Sequence, residues 1–353
     1  TMINLTKGVL ICVLSALLAQ TISDYLGIFV FGLNKSPISP IIIAVLIGFI
    51  IGNSTNKLTD YSDGFAFCTN YVLKLGIILL GIRLSLSDIA LYGLTGIIII
   101  IPCIIISMVS VTIFRNYFIV SDRLSLLIAI GTSICGATAI MALAPLINAK
   151  KEEISYAIAN ITIFGLLAMF IYPIIGYYVL KDHSLAVGLF LGSSIHETAQ
   201  VAGSGMIYAQ QYSNPMVLEI STIIKLVRNT LMIVTIPFLA HLSFQANNRN
   251  NKKTNIYSIF PYFVIGFIIF GLIRTIGDYY DYKIGIELWN NIIHIIKGLS
   301  ENLLIIAMSA MGYNTTINKF KNLGLKPFYL GFLVAIMVGI VSISTIHMVG
   351  IIQ

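Results

Sequence analysis

Long apolar runs separated by short polar breaks fill the chain. Eleven can be marked, at residues 8–23, 38–53, 64–86, 92–114, 123–149, 153–180, 184–208, 214–242, 259–276, 289–313 and 327–350. The runs are solid, as in Ile97-Ile98-Ile99-Ile100-Ile101. A strand of a membrane barrel would alternate polar and apolar positions, so the pattern predicts helices. A membrane-crossing helix needs roughly 20 apolar residues, and with its loop takes about 30 residues. The 353 residues therefore allow about eleven or twelve crossings. The expected fold is an all-α polytopic membrane protein of about eleven transmembrane helices. The one sizeable polar linker, 245–257 with Arg249, Lys252 and Lys253, divides the chain unequally without forming a soluble domain. Residues 1–353 thus read as a single integral membrane domain.

Composition agrees. Hydrophobic residues make up 58% of the chain and charged residues 10%. A soluble domain carries about 25% charged residues, so a soluble protein is excluded. The net charge of +7 comes from basic residues scattered between apolar runs, which points to cytoplasmic loops and away from nucleic acid. The N-terminus and every second loop hold eleven Lys and Arg, against six in the opposite set. That imbalance predicts a cytoplasmic N-terminus and an external C-terminus. The first run reads as a span, because no small-residue cleavage site follows it. Cys12, Cys68, Cys103 and Cys135 lie in apolar runs without metal-type spacing and are expected to be unpaired.

Two self-similarities suggest a transporter built from repeats. Residues 131–142 (Gly-Thr-Ser-Ile-Cys-Gly-Ala-Thr-Ala-Ile-Met-Ala) match 192–203 (Gly-Ser-Ser-Ile-His-Glu-Thr-Ala-Gln-Val-Ala-Gly), with Gly, Ser and Ile coincident. Residues 80–89 more loosely match 311–320. The second pair is seven spans apart and should be inverted. The first is two spans apart and should be parallel by simple counting, unless one glycine-rich segment is re-entrant. Chance similarity in an apolar chain is the alternative.

Polar groups at bilayer depth are costly, so they carry the information. Two segments stand out: Ser133, Cys135, Gly136 and Thr138 in the first, and Ser194, His196, Glu197, Thr198 and Gln200 in the second. Glycine weakens a helix, and Ser and Thr hydroxyls offer its backbone other partners. Such a segment can unwind where protein encloses it, exposing N–H groups that favour an anion. Close packing through small residues is the competing explanation.

Lys225, Arg228 and Asn229, with Ser221, form one polar stripe on an apolar helix. Each buried cation costs about 2.5–3.5 kcal/mol on insertion scales. Either Glu197 and Glu219 neutralise the pair in a structural network, or the two cations face a water-filled cavity and hold an anion. His196 and Glu197 could exchange a proton during transport. Asn160, in the helix after the first glycine segment, is expected to line the same cavity. Lys74 and Arg83 are placed near span ends as snorkelling cations. His294, Lys297 and Glu301 share a helix face as a satisfied cluster, and Tyr177, Tyr178 and Trp289 suit an aromatic belt.

Other classes fit poorly. His196-Glu197-Thr198-Ala199-Gln200 resembles a zinc protease pattern, but Gln200 stands where the second His should be. A Ser194–His196 serine protease pair is weaker, and no phosphate-binding loop for ATP drive is present. No enzyme, cofactor or metal is expected. An ion channel is disfavoured by the repeats and the asymmetric broken segments.

Leu75-Gly-Ile-Ile-Leu-Leu-Gly-Ile-Arg-Leu84, the two glycine segments and Lys225-Leu-Val-Arg228 together resemble the YeiH-type family of bacterial inner-membrane proteins, named as sulfate exporters. The resemblance runs from the second span to Pro327. It implies grouping with the bile acid, arsenite and riboflavin transporters: inverted repeats, two broken helices crossing at 133–138 and 194–200, and elevator-like alternating access. A core of about 64–244 plus 289–350 would stand beside a panel of the remaining helices. The expected function is secondary transport of sulfate, sulfite or a sulfonate in the inner membrane, with H+ or Na+ coupling and a homodimer both open. The alternative is a cation/proton antiporter of related fold.

Overall fold

The apolar runs fold as helices. The computed structural model describes residues 2–30, 38–247, 261–280, 285–315 and 324–351, and among these there is helix and turn but no strand. Seven helices among the described residues are long and apolar enough to cross a membrane: Ile3–Phe29, Ser62–Arg83, Leu86–Phe118, Lys151–Val179, Met216–Leu239, Ile286–Asn314 and Lys326–Met348. Two apolar helices are shorter, Pro40–Ser54 and Ser184–Ser194. The eleven runs therefore do not each form one long helix. The runs 123–149 and 184–208 break midway, where Gly, Ser and Thr concentrate.

In chain order the helices are α1 (Met2–Tyr25), α2 (Pro40–Ser54), α3 (Ser62–Phe67), α4 (Leu73–Leu80), α5 (Leu86–Phe118), α6 (Asp122–Ser133), α7 (Ala137–Leu143), α8 (Lys151–Val179), α9 (Ser184–Ser194), α10 (Thr198–Gln211), α11 (Met216–Thr230), α12 (Met232–Asn247), α13 (Phe263–Tyr279), α14 (Ile286–Asn314) and α15 (Lys326–Met348). Lys35, Lys283, Lys319, Lys321 and most of the 245–257 linker lie outside the described residues, as does the end of the 311–320 match.

The helices group into two compact units. The first comprises residues 1–92, 202–219 and 262–316, and the second 93–201, 220–261 and 317–353. Residues 64–92 and 289–316, which the resemblance would assign to a core, group with the first unit. The reason is packing: α4 lies against α13 and α14.

In the first unit, α2 and α14 approach so closely that a Cβ at Gly48 or Gly312 would strike the partner's backbone. Arg83 does not snorkel; its side chain is 5% exposed, bonds Glu301 through Nη2 and lies 3.9 Å from Glu219 Oε1 through Nη1. Glu219 is thus engaged with Arg83 and does not neutralise Lys225 or Arg228, as the carboxylate-network alternative would have it. Trp289 leaves the expected aromatic belt. It is buried, and its Nε1 donates to Asp278 Oδ1 at 2.8 Å. Tyr178 stays exposed, as a belt residue would. Lys74 and His294 are exposed. The four cysteines are buried and unpaired.

The second unit is built around one large apolar cluster, with Leu127, Ile128, Ile130, Ile140, Tyr156, Ile161, Ile236 and Val334 among its buried members. Helix α11 lies tightly on α9, because a Cβ at Gly188 would meet Ile220 at 2.6 Å and one at Gly192 would meet the Ser221 carbonyl at 2.6 Å. Glycines four residues apart thus open a groove for α11. The packing explanation for small residues holds on α9, while the breaks lie just beyond it.

Candidate functional site

Both breaks fall at the same place in the 131–142 and 192–203 match. Helix α6 ends at Ser133 and α7 begins at Ala137; α9 ends at Ser194 and α10 begins at Thr198. Gly136 allows the first break. Its φ of 64° suits glycine, and a Cβ there would run into the Glu197 side chain. The second break needs no glycine. Ile195 turns extended at φ −80°, ψ 145°, and Gln200 then caps α10 by accepting the Glu197 N–H at Oε1, 3.0 Å away. Gln200 Nε2 donates to the Thr162 carbonyl on α8 at 3.1 Å.

A helix end leaves its last carbonyls without partners. Here two buried cations on one face of α11 supply them. Lys225 Nζ donates to the carbonyls of Ile134 at 2.7 Å, Ile195 at 2.9 Å and His196 at 2.5 Å. Arg228 donates through Nη1 to the carbonyls of Ser193 at 2.6 Å and Ile195 at 3.0 Å. Its Nε bonds the Ser133 carbonyl and its Nη2 the Thr132 carbonyl. Lys225 and Arg228 are both 0% exposed. All three ammonium donors and four of the five guanidinium N–H groups are therefore spent on backbone oxygen. Two cations at two helix C-termini also oppose the negative dipole ends.

Of the two alternatives for the cations, the carboxylate network is not the one found. Among the described residues neither forms a salt bridge with Glu197 or Glu219. Glu197 instead lies beside the start of α7, where its Oε1 accepts the Ala137 N–H at 3.4 Å. Asn229 Nδ2 donates to Thr198 Oγ1 at 2.9 Å. Three buried polar atoms beside the breaks have no hydrogen-bond partner among the described residues: His196 Nδ1, Thr132 Oγ1 and Asn229 Oδ1. Thr138 is exposed and Glu197 and Thr198 half-buried, so the second halves of the broken helices hold the more open side.

Several of the residues expected at the site have other duties. The Ser133 hydroxyl bonds back to Ala129 and pairs with Ser107 Oγ at 2.8 Å; the Ser194 hydroxyl bonds back to Phe190 at 2.5 Å. Cys135 Sγ lies against Met232 Sδ. Asn160 turns away to α15, donating to the Pro327 carbonyl at 3.1 Å, so α8 reaches the breaks through Thr162 instead. Sequence reasoning missed Ser107 and Ser342, the latter paired with Ser193 Oγ at 2.7 Å. Both are serines in otherwise apolar runs, and that oddity was the available signal.

The chain is similar to named proteins along nearly its whole length. The family model described as Conserved hypothetical protein 698 matches residues 7–331. A UPF0324 membrane protein of Streptococcus agalactiae is 32% identical over 339 residues, covering 96% of this chain and 95% of its own. One of Fusobacterium nucleatum is 32% identical over 356 residues and covers 99% of both chains. One of Pasteurella multocida is 35% identical over 313 residues, 86% of each. With its apolar helices and its pair of aligned helix breaks, this multi-pass membrane protein belongs to the UPF0324 membrane protein family.

Proposed function

We propose that the protein is a secondary transporter of a small anion, with the paired helix breaks of the second unit as its substrate site. One observation carries the reading. Lys225 and Arg228 are fully buried at two helix breaks in a chain otherwise poor in intramembrane charge. Such groups mark substrate or ion pathways. Their donors cap the first halves of the broken helices, so they contribute field more than direct contacts. Lys225 and Arg228 set two basic groups against the one acid Glu197, and that excess favours an anion. His196, Thr198 and Asn229 stand beside the breaks as the polar groups nearest a ligand.

Within this reading the eleven apolar runs are the crossings, the chain sits in the inner membrane with a cytoplasmic N-terminus, and the matched breaks belong to repeats. Elevator-like alternating access and export of sulfate, sulfite or a sulfonate follow from the resemblance to YeiH-type proteins. Glu197 and His196 are the residues for proton coupling. No enzyme activity is part of the proposal. A second reading, a cation/proton antiporter, is favoured by the commitment of the Lys225 and Arg228 donors to carbonyls while Glu197 stays half-open.

Thermal unfolding of the purified chain with sulfate, sulfite, methanesulfonate, acetate and Na+ at two pH values separates them. Stabilisation by an oxyanion, lost in Arg228→Gln, is the expected result. Stabilisation by Na+ or protons with no response to any anion would replace the proposal with the second reading.

A further inference from the structure

The hydrogen-bonding groups left over at the breaks say more about the ligand than the charges do. The strong donors are used: Lys225 and Arg228 hold backbone carbonyls. What remains is the Asn229 oxygen, which can only accept, beside the Thr132 hydroxyl and a His196 ring nitrogen that donates or accepts by tautomer. Asn229 is 2% exposed and His196 1% exposed, yet Asn229 Oδ1 and His196 Nδ1 have no partner among the described residues. The Asn229 amide is oriented by its Nδ2 bond to Thr198, which leaves the oxygen free. Close by, Glu197 brings a carboxylate whose Oε1 takes only the 3.4 Å bond from Ala137. A buried acceptor left unpaired is costly, and a site built to accept a donor rejects an analogue that lacks it.

The excess of basic groups favours an anion, and the unpaired Asn229 oxygen favours one that brings its own hydrogen. Resting on the anion-transport reading, we infer that this site selects a monovalent anion carrying an N–H or O–H donor, read by Asn229 Oδ1. A fully deprotonated dianion such as sulfate brings no donor for the Asn229 oxygen.

Three tetrahedral anions of similar size make the test: sulfamate (monovalent, with N–H), methanesulfonate (monovalent, without donor) and sulfate (divalent, without donor). Binding to the purified full chain is measured by calorimetry. Sulfamate should bind roughly tenfold or more tightly than methanesulfonate, with sulfate weakest. In Asn229→Leu that preference should vanish while methanesulfonate still binds. Equal affinity for sulfamate and methanesulfonate, or tightest binding of sulfate, overturns the inference and leaves anion transport standing. Binding of none of the three overturns both. The wild-type comparison decides by itself if a variant fails to fold.

Discussion

The two units bury arginine in opposite ways. In the first, Arg83 is matched by carboxylates, Glu301 and Glu219. In the second, Arg228 is matched by four backbone carbonyls from two helix ends. There the arginine is answered by full opposite charges on side chains. A carbonyl-capped cation meets only the partial charges of helix ends, so part of its charge survives. It also ties the charge to the backbone geometry of both breaks. The first arrangement is a fastening; the second is a frame that keeps a field at a fixed place.

The sharpest way to break this contrast is Arg228→Met, which strands four buried carbonyls. It should destabilise the protein by about 3–5 kcal/mol or more, seen as a large fall in denaturation midpoint. No second side-chain change should rescue it, since the stranded partners are backbone. Arg83→Met should also cost stability, by about 1–3 kcal/mol, because Glu219, 14% exposed, loses the cation beside it. Here the triple change Arg83→Met, Glu301→Leu, Glu219→Gln should recover most of the loss. Failure of that rescue would erase the distinction between the units.

Gly136→Ala comes next. Its positive φ and the crowding of a Cβ against Glu197 should cost about 1–3 kcal/mol and perturb anion binding, read together in one thermal titration. Ser107→Ala removes a hydroxyl that bonds Ser133 and the Ala129 carbonyl, and should cost about 1 kcal/mol. The smallest effect is expected at Arg115, whose bond to Asp122 is 2.8 Å but whose partner is 78% exposed. Arg115→Gln should change stability by no more than about 0.5 kcal/mol.

Much of the site was legible beforehand because its signals are local. Glycine and hydroxyl residues inside an apolar run mark a helix that can break, and both breaks lie where Gly131–Thr138 and Gly192–Gln200 indicated. The spacing of Lys225, Arg228 and Asn229 placed them on one face of α11. The partners of the cations were not legible. A backbone carbonyl is present at every residue and leaves no mark in the sequence, whereas Glu197 and Glu219 do. Helix geometry argues against Glu219, which lies six residues or about 9 Å along the axis from Lys225 and toward another face. Asn160 misled for a similar reason: its position in the chain resembled that of the stripe, but its side chain turns to α15.

Hydropathy and residue type alone determined that this chain is a helical membrane protein, where its helices weaken, and which few charges sit where charge is expensive. Those properties depend on solvent transfer and local propensity, which are additive along a sequence. Only the tertiary structure decided that the two cations cap broken helices, that Arg83 takes Glu219 away from them, and that unpaired acceptors remain beside the breaks. Hydrogen bonds form between groups brought together across 29 to 96 residues of chain, and the direction of each carbonyl is set by the fold.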